Sequence, residues 1–254
     1  MIQSLFFVIH NNIMPEDIID ISVIIPAKDE ALRLPLFLNT LIPYCKASSF
    51  RYEIIVVDDG STDTTAQEVL ALQKAFPALA LLSLGRNHGK GYAVKQGLLA
   101  SHGHIAIFMD ADGSTPASEI ESNLKFFAEG FDIVIGSRVL QSNTSQVKAM
   151  FYRKCIGGIF NFFVSTFLIK NIKDTQCGFK MFRGEIIRPL WDTVQIKGFG
   201  FDLEVLFLAQ RMNYKIKEVG VSWKHVENSK VNLIKDSWRM LVNIFQIRKM
   251  HHNR

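Results

Sequence analysis

The chain is constrained most by five short apolar runs that each stop abruptly on charged or glycine-rich residues. Ile21-Ser22-Val23-Ile24-Ile25-Pro26 closes on proline and leads into Ala27-Lys28-Asp29-Glu30. Tyr52 to Val57 ends in Asp58-Asp59-Gly60-Ser61-Thr62-Asp63, and Leu79 to Leu84 ends in Gly85-Arg86-Asn87-His88-Gly89-Lys90-Gly91. His104 to Met109 ends in Asp110-Ala111-Asp112-Gly113-Ser114-Thr115, and Asp132 to Ser137 delivers Arg138. Each run has the length of a buried strand. Between them apolar residues recur at helical spacing, as in Leu32, Leu36, Leu38 and Leu41, or Ala66, Val69 and Leu70. Strands alternating with helices over residues 21–137 predict a Rossmann-like α/β fold, a mostly parallel central sheet with helices on both faces. One of those helices is expected from about Pro116 to Glu129, with proline in its first turn.

In an open α/β sheet, ligands sit beyond the carboxyl ends of the strands. Asp110 and Asp112, one residue apart on a tight turn, can face one divalent cation there. Mg²⁺ takes one or two carboxylates and completes its shell with water and substrate phosphates. A surface turn with helix-capping acids needs the same residues, so the motif alone leaves both readings open. Three strand ends carrying acids or arginine on one sheet edge favour a site. The 85–91 loop adds glycines and Lys90 beside a helix N-terminus, a place suited to an anion. Its spacing is neither a Walker loop nor a dinucleotide fingerprint.

Composition narrows the partners. The 254 residues fit one large domain, or one with an appendage, and 48% are hydrophobic, ample for a core. A net charge of +5 fits phosphates or a membrane surface, and no nucleic-acid partner is expected. Cys45, Cys155 and Cys177 lie far apart without metal-ligand spacing, which predicts free thiols in a reducing compartment, with Cys177 as a packing residue. Leu5-Phe6-Phe7-Val8-Ile9 has no basic region before it and no small-residue cleavage site after it, so it is not read as a signal peptide. No apolar run reaches the roughly 18 residues of a transmembrane helix.

From Val147 to Lys170 the character changes. Phe151, Ile156, Ile159, Phe160, Phe162, Phe163, Phe167 and Leu168 make a wide apolar surface, with Arg153, Lys154, Asn161 and Ser165 on a narrower polar stripe. A buried core helix and an interfacial helix lying in a membrane surface both fit, and the aromatic content favours the second. Asn171 to Phe182 reads as turns followed by a short strand, in which Asp174 is at least a turn acid. Gly198-Phe199-Gly200-Phe201-Asp202 opens a helix to about Arg211, whose dipole Asp202 and Glu204 complement, and Ile216 to Trp223 alternates like a strand. The tail from Val231 sets Ile234, Trp238, Leu241 and Phe245 on one side and Lys235, Arg239 and Asn243 on another. It reads as a basic amphipathic helix, either suited to a membrane surface or partner or packed on its own domain. The expected division is an extension over 1–20, a domain over 21–230 that includes the 147–170 helix, and the tail helix over 231–254.

Six motifs in order carry a resemblance. They are Ile24 to Glu30, Val57 to Asp63, Asn87 to Gly91, Met109 to Gly113, Gly136-Ser137-Arg138, and Asp174 to Lys180. Together they resemble family-two glycosyltransferases, in the branch that glycosylates polyprenyl phosphates, over residues 21 to about 245. The resemblance implies a GT-A fold and inverting transfer of a hexose from a nucleotide-sugar to dolichyl or undecaprenyl phosphate. It implies an enzyme held peripherally at the cytoplasmic face of a membrane. The family's nucleotide-holding positions map to Pro26, Ala27, Glu30 and Asp58, with Asp59 nearby, and Lys90, Asp110 and Ala111 join them around the donor. Mg²⁺ or Mn²⁺ is expected on Asp110 and Asp112. Arg138 and Arg153 would bind the phosphates of donor and lipid, and Asp174 matches the acid near the reacting centre, so Asp174, Asp112 and Arg138 are the catalytic expectation.

Two positions depart from the family pattern. Lys28-Asp29 stands where an aromatic residue and asparagine are common, and Ser114 where mannosyl enzymes often carry glutamine. Asp112-Gly113-Ser114-Thr115 and Thr175 to Lys180 are nearer the glucosyl branch, which points to UDP-glucose. The alternatives are a GDP-mannose donor, a sugar-hydroxyl acceptor that would need a general base, and a non-catalytic nucleotide-sugar-binding module. A nucleotidyltransferase would need a glycine-rich loop near the N-terminus, and none is present.

Overall fold

The computed structural model describes residues 19–141, 168–224 and 233–252. The five runs are strands: β1 Ile21–Ala27, β2 Tyr52–Asp58, β3 Leu79–Ser83, β4 Ile105–Met109 and β5 Ile133–Ser137. Later come β6 Phe179–Arg183 and β7 Ile216–Gly220. The helices are α1 Leu34–Ala47, α2 Thr65–Gln73, α3 Lys90–Leu99, α4 Ser118–Asn123, α5 Lys125–Ala128, α6 Gly184–Trp191, α7 Phe201–Arg211 and α8 Leu233–Met250.

The strands form a seven-stranded sheet in the order β3-β2-β1-β4-β6-β5-β7. Residues alternate between two cores. Val23 and Ile25 of β1 join Leu34, Leu38 and Leu41 of α1 on one face, while Ile24 joins Ala93, Val94 and Leu98 of α3 on the other. Both faces are covered, which is why β1 and β4 read as continuous apolar runs rather than alternating ones. The second core also takes in Trp191 of α6 and Phe201 and Leu206 of α7.

The sheet is mostly parallel, as expected, with one reversal. β6 runs antiparallel to both neighbours, pairing Phe179 with Met109 and Arg183 with Ile105. The chain re-enters the sheet from the edge where β4 and β5 end, so β6 has to run downward between them. This places Cys177 and Gly178, just before β6, beside the carboxyl end of β4.

Two further expectations are corrected. The single helix over Pro116 to Glu129 is two short ones, broken at Leu124. The Asn123 side chain donates to the Glu119 carbonyl at 2.7 Å and competes with the helical ladder there. The tail is helical, and among its described side chains Ile244, Ile247 and the following His251 are buried, whereas Phe245, expected on the apolar side, is 61% exposed. That end of α8 packs on the domain, with His251 Nε2 at 2.7 Å from Glu204 Oε1. Of the 147–170 helix only residues 168–170 are described, and Leu168 and Ile169 are buried in the second core. Residues 1–18 and Arg153 also lie outside the described residues.

Gly97 lies on the α3 face against the sheet, where an added Cβ would fall on Ile24 and Val57. Gly97→Ala gains about 1 kcal/mol of helix propensity but overpacks the core at about 1–3 kcal/mol. The expected net effect is a loss of about 1 kcal/mol, measured as a lower urea midpoint. A raised midpoint would mean the α3–sheet interface is looser than described.

Candidate active site

β1 has β2 on one side and β4 on the other, and the chain order reverses between them. This is the switch point at which open α/β sheets bind ligands. Three polar strand ends converge there around a cleft of about 490 Å³. Its lining includes Pro26, Ala27, Glu30, Arg33, Asp59, Lys90, Asp110, Ala111 and Asp112, with Phe199 from the distant loop before α7.

The two acids after β2 do different work. Asp59 accepts hydrogen bonds from His88 N at 2.7 Å and Gly89 N at 2.8 Å, fixing the glycine loop to the cleft wall. Asp58 is buried outside the cleft lining and accepts from Ser61 N at 3.0 Å. The departing pair Lys28-Asp29 sews two loops together. Lys28 Nζ donates to Gly60 O at 2.9 Å, and Asp29 Oδ1 accepts from Thr62 N at 2.7 Å. Glu30 is held by Arg33, whose Nε donates to Glu30 Oε2 at 2.7 Å. Sequence reasoning missed Arg33, although its spacing three residues after Glu30 on a nascent helix was a visible sign.

Gly89 precedes α3 with φ +103°, a conformation open to glycine, and a Cβ there would strike the Lys197 carbonyl. Lys90 follows as the first residue of α3 and puts its Nζ 2.5 Å from Asp110 Oδ1. Burial pulls the Lys90 pKa down, but the charge and hydrogen bond of Asp110 together with the charges of Asp202 and Asp112 outweigh it, and the net shift is upward. Burial likewise pushes Asp110 up, and Lys90 pulls it below the ordinary carboxylate value. One side of the Asp110 carboxylate is the backbone of Gly178, where any Cβ would land on the carboxyl atoms. Asp112 Oδ1 accepts from Ser114 N at 2.9 Å, closing the turn. Two carboxylates beside an open cleft are an all-oxygen donor set, and with diphosphate oxygens and water they fit Mg²⁺ or Mn²⁺. Among the described residues no group of three or more His, Cys, Asp or Glu could hold such an ion.

Arg138 and Asp174 meet each other rather than the cleft. Arg138 Nε and Nη2 donate to the two Asp174 oxygens at 2.8 and 2.9 Å, and Arg138 N donates at 3.0 Å. Neither lines the cleft. Glu218 of β7 accepts from Asp174 N at 2.8 Å. Burial raises the Asp174 pKa, but the Arg138 bonds and charge prevail and hold it below the ordinary carboxylate range. Behind Asp110 lies a second pair that sequence reasoning did not assemble. Lys180, wholly buried in β6, donates to Asp202 Oδ1 at 2.6 Å and to Cys177 O at 2.8 Å. Its sign was present: a lysine inside the run Phe179-Lys180-Met181-Phe182. Burial pushes the Cys177 thiol up to about 12, which suits a packing residue and not a nucleophile.

A twisted α/β sheet with paired carboxylates and an anion-ready loop at its switch point defines the GT-A class of glycosyltransferases, and solved structures of that class align with it. Glucosyl-3-phosphoglycerate synthase from Mycobacterium tuberculosis, in complex with Mn²⁺ and UDP-glucose, matches with TM-score 0.64 over 98% of this chain and 83% of that one, at 18% identity. Mannosyl-3-phosphoglycerate synthase from Rubrobacter xylanophilus matches with TM-score 0.58 over 91% and 73%, at 15% identity. At such identities the likeness is one of fold. Sequence relatives are nearer. Dolichyl-phosphate beta-glucosyltransferase of Dictyostelium discoideum is 40% identical over 246 residues, covering 92% of this chain and 75% of the relative. The enzymes of that name from Saccharomyces cerevisiae and Homo sapiens are 36% and 31% identical, covering 94% and 83% of this chain and 77% and 69% of the relatives. The pattern of Glycosyl transferase family 2 matches residues 22–191, and the chain belongs to that family. It is a glycosyltransferase.

The Arg138–Asp174 pair yields a stability prediction. Asp174→Ala strips two acceptors from a half-exposed guanidinium and is expected to cost about 1–3 kcal/mol in urea unfolding. Because the folded Asp174 pKa is depressed, its contribution is complete above the ordinary value near about 4 and is lost as pH falls through the lower folded value. The gap between wild type and Asp174→Ala should therefore be constant from pH 5 upward and narrow below about pH 4. A gap unchanged at low pH would remove the ion pair as its cause.

Proposed function

We propose that the chain transfers glucose, with inversion, from UDP-glucose to a polyprenyl phosphate of the dolichyl or undecaprenyl type at a membrane surface. The observation that carries this reading is the cleft at the switch point, where Asp110, Asp112 and Lys90 meet beside the glycine loop. The names of the relatives supply the sugar and the lipid.

The donor's diphosphate leaves with added negative charge. Lys90, once it turns from Asp110 to the phosphate, and the N-terminus of α3 are the groups proposed to meet that charge. Asp110 and Asp112 would hold Mg²⁺ or Mn²⁺. Such an ion, when bound, supplies Lewis-acid stabilisation of the leaving phosphates. Pro26, Ala27, Glu30 and Ala111 form the cleft side proposed for the nucleoside, with Asp59 fixing its wall and Asp58 bracing the turn behind it.

A phosphate-monoester acceptor has a second pKa near about 6, so it is largely ionised at neutral pH and needs positioning more than deprotonation. Asp174 fits that demand. Tied to Arg138 with a lowered pKa, it is a weak base but a firm anchor for the guanidinium. Arg138 has five N–H donors, and those beyond the Asp174 contact are proposed, with Arg153, to bind phosphate. A hydroxyl acceptor would call for a base that this pair does not supply.

The lipid tail sets the location. Each CH₂ drawn into water costs about 0.8 kcal/mol, so the reaction is expected at a bilayer surface. Among the described residues no helix is long and apolar enough to cross a membrane. The aromatic segment at 147–167, ahead of the core-buried Leu168 and Ile169, is the proposed membrane contact, at the cytoplasmic face.

Two tests follow from this chemistry. Purified protein with Mg²⁺ or Mn²⁺, polyprenyl phosphate in detergent and radiolabelled donor should move label into the organic phase from UDP-glucose in preference to GDP-mannose. Asp110→Ala and Asp112→Ala should each lower transfer about a thousandfold, the several kcal/mol that Lewis-acid stabilisation supplies. Full activity in either variant would remove that carboxylate from the metal role, and preference for GDP-mannose would replace glucose by mannose. Separately, changing Phe162, Phe163 and Phe167 to serine should reduce flotation with liposomes, and unchanged flotation would count against that segment.

A further inference from the structure

Lys90 has a partner that the proposed cofactor also needs. Its Nζ lies 2.5 Å from Asp110 Oδ1, and the pair is only partly exposed, at 24% and 29% of the two side chains. The backbone behind it is pinned, because Asp59 holds the amides of His88 and Gly89. The rings of Phe108 and Phe199 lie 5.4 and 5.9 Å from the ammonium and narrow its range further. Asp202, another carboxylate close enough to act on Lys90, is engaged by Lys180 at 2.6 Å. Lys90 therefore has Asp110 on one side and the open cleft on the other.

An ammonium and a divalent cation repel strongly at contact distance in a part-buried site, so they compete for the Asp110 carboxylate. A diphosphate at the N-terminus of α3 offers Lys90 a second counter-ion within the reach of the same side chain. We propose that Lys90 is a competing counter-cation that makes divalent-cation binding at Asp110 depend on the diphosphate of the donor. This rests on the assignment of Asp110 and Asp112 to the metal. Alone, the cation must displace the ammonium from Asp110. With a diphosphate in the cleft, Lys90 turns to the phosphate and the carboxylate is released. The two ligands then favour each other by one coupling energy, equal in both directions. After transfer, loss of the nucleoside diphosphate returns Lys90 to Asp110 and expels the cation, so cation and donor load and leave together.

The test titrates Mn²⁺ into the full chain and reads free Mn²⁺ by electron paramagnetic resonance, first without nucleotide and then with UDP. Wild type and Lys90→Arg should bind Mn²⁺ weakly without UDP. Lys90→Met should bind it at least about tenfold more tightly, and Lys90→Gln, checked by thermal melting, gives a second reading should the Met variant fold poorly. Asp110→Asn in the Lys90→Met background should abolish the gain. UDP should tighten Mn²⁺ binding by a larger factor in wild type than in Lys90→Met. Neutral variants that bind Mn²⁺ no more tightly than wild type would overturn the proposal, because a lysine that only contacts the leaving phosphate or organises Asp110 gives that result. A gain that survives Asp110→Asn would overturn it too. Transfer from a sugar other than glucose would change the proposed function and leave this coupling intact. Absence of Mn²⁺ binding in every variant, alongside active transfer, would do the reverse.

Discussion

A lysine buried in the middle of a sheet has no water to turn to, and Lys180 is wholly buried between β4 and β5. An uncompensated charge there would cost several kcal/mol, so its partners have to be in place whenever the sheet is. They are Asp202, at the start of α7, and the Cys177 carbonyl, just before β6. Phe108 of β4 adds its ring, 5.4 Å from the ammonium. One side chain thus ties the reversed strand to the central strand and to the helix beyond. The positions of Gly178 against Asp110, and of the Phe199 lip ahead of Asp202, follow from that tie.

Four acids around the site are held in ion pairs, while Asp58, Asp59 and Asp112 bond backbone amides. Lys90 meets Asp110, Arg138 meets Asp174, Lys180 meets Asp202, and Arg33 meets Glu30. They differ in exposure, and exposure sorts their roles. Lys180 and Asp202 are sealed, and for the Asp202 carboxyl the cost of burial exceeds the help from Lys180, so its pKa shifts upward. That pair is fixed architecture. Lys90 and Asp110 are partly exposed at the cleft, where the proposed exchange of partners with phosphate and cation would take place. Arg138 is intermediate, with its carboxylate sealed and its guanidinium 39% exposed. The sealed pair thus lies in the core, and the partly exposed one lines the cleft.

Much of this was legible in the sequence because it is local. A strand that ends in Asp-Ala-Asp-Gly announces both its own end and its polar cargo, and the five apolar runs map onto β1 to β5. The turn acids could be read as a site because several lay at equivalent strand ends. What escaped was pairing between distant segments. Nothing near Asp174 signals that its carboxylate faces Arg138, 36 residues earlier. Phe179 to Phe182 reads as a strand, but its direction depends on which edge the chain returns from, and no local pattern encodes that. Asp202 looked like a dipole-complementing acid, and its partner lies 22 residues away in β6. At the break Leu124 N turns to the Glu121 carbonyl at 3.2 Å while the Asn123 side chain donates to the Glu119 carbonyl, local bonds that propensities do not settle.

The tail shows how the same physics links an apparent appendage to the cleft. Glu204 is fully buried in α7 and divides its carboxylate among three donors. His251, at the end of α8, lies 2.7 Å from one oxygen, while Gln195 N and Ile196 N donate at 3.0 and 2.7 Å. Those two amides begin the segment that carries Gly198 and Phe199 to the cleft rim. Gly200 packs against Asn243 of α8, where a Cβ would not fit. Arg211 closes the joint by donating to the His251 carbonyl at 2.5 Å. A helix docked through one buried carboxylate that also positions the rim cannot shift without moving the rim. The last turn of the basic helix is therefore part of the glycosyltransferase body, and among its described side chains the apolar ones left exposed are Val242, Phe245 and Met250.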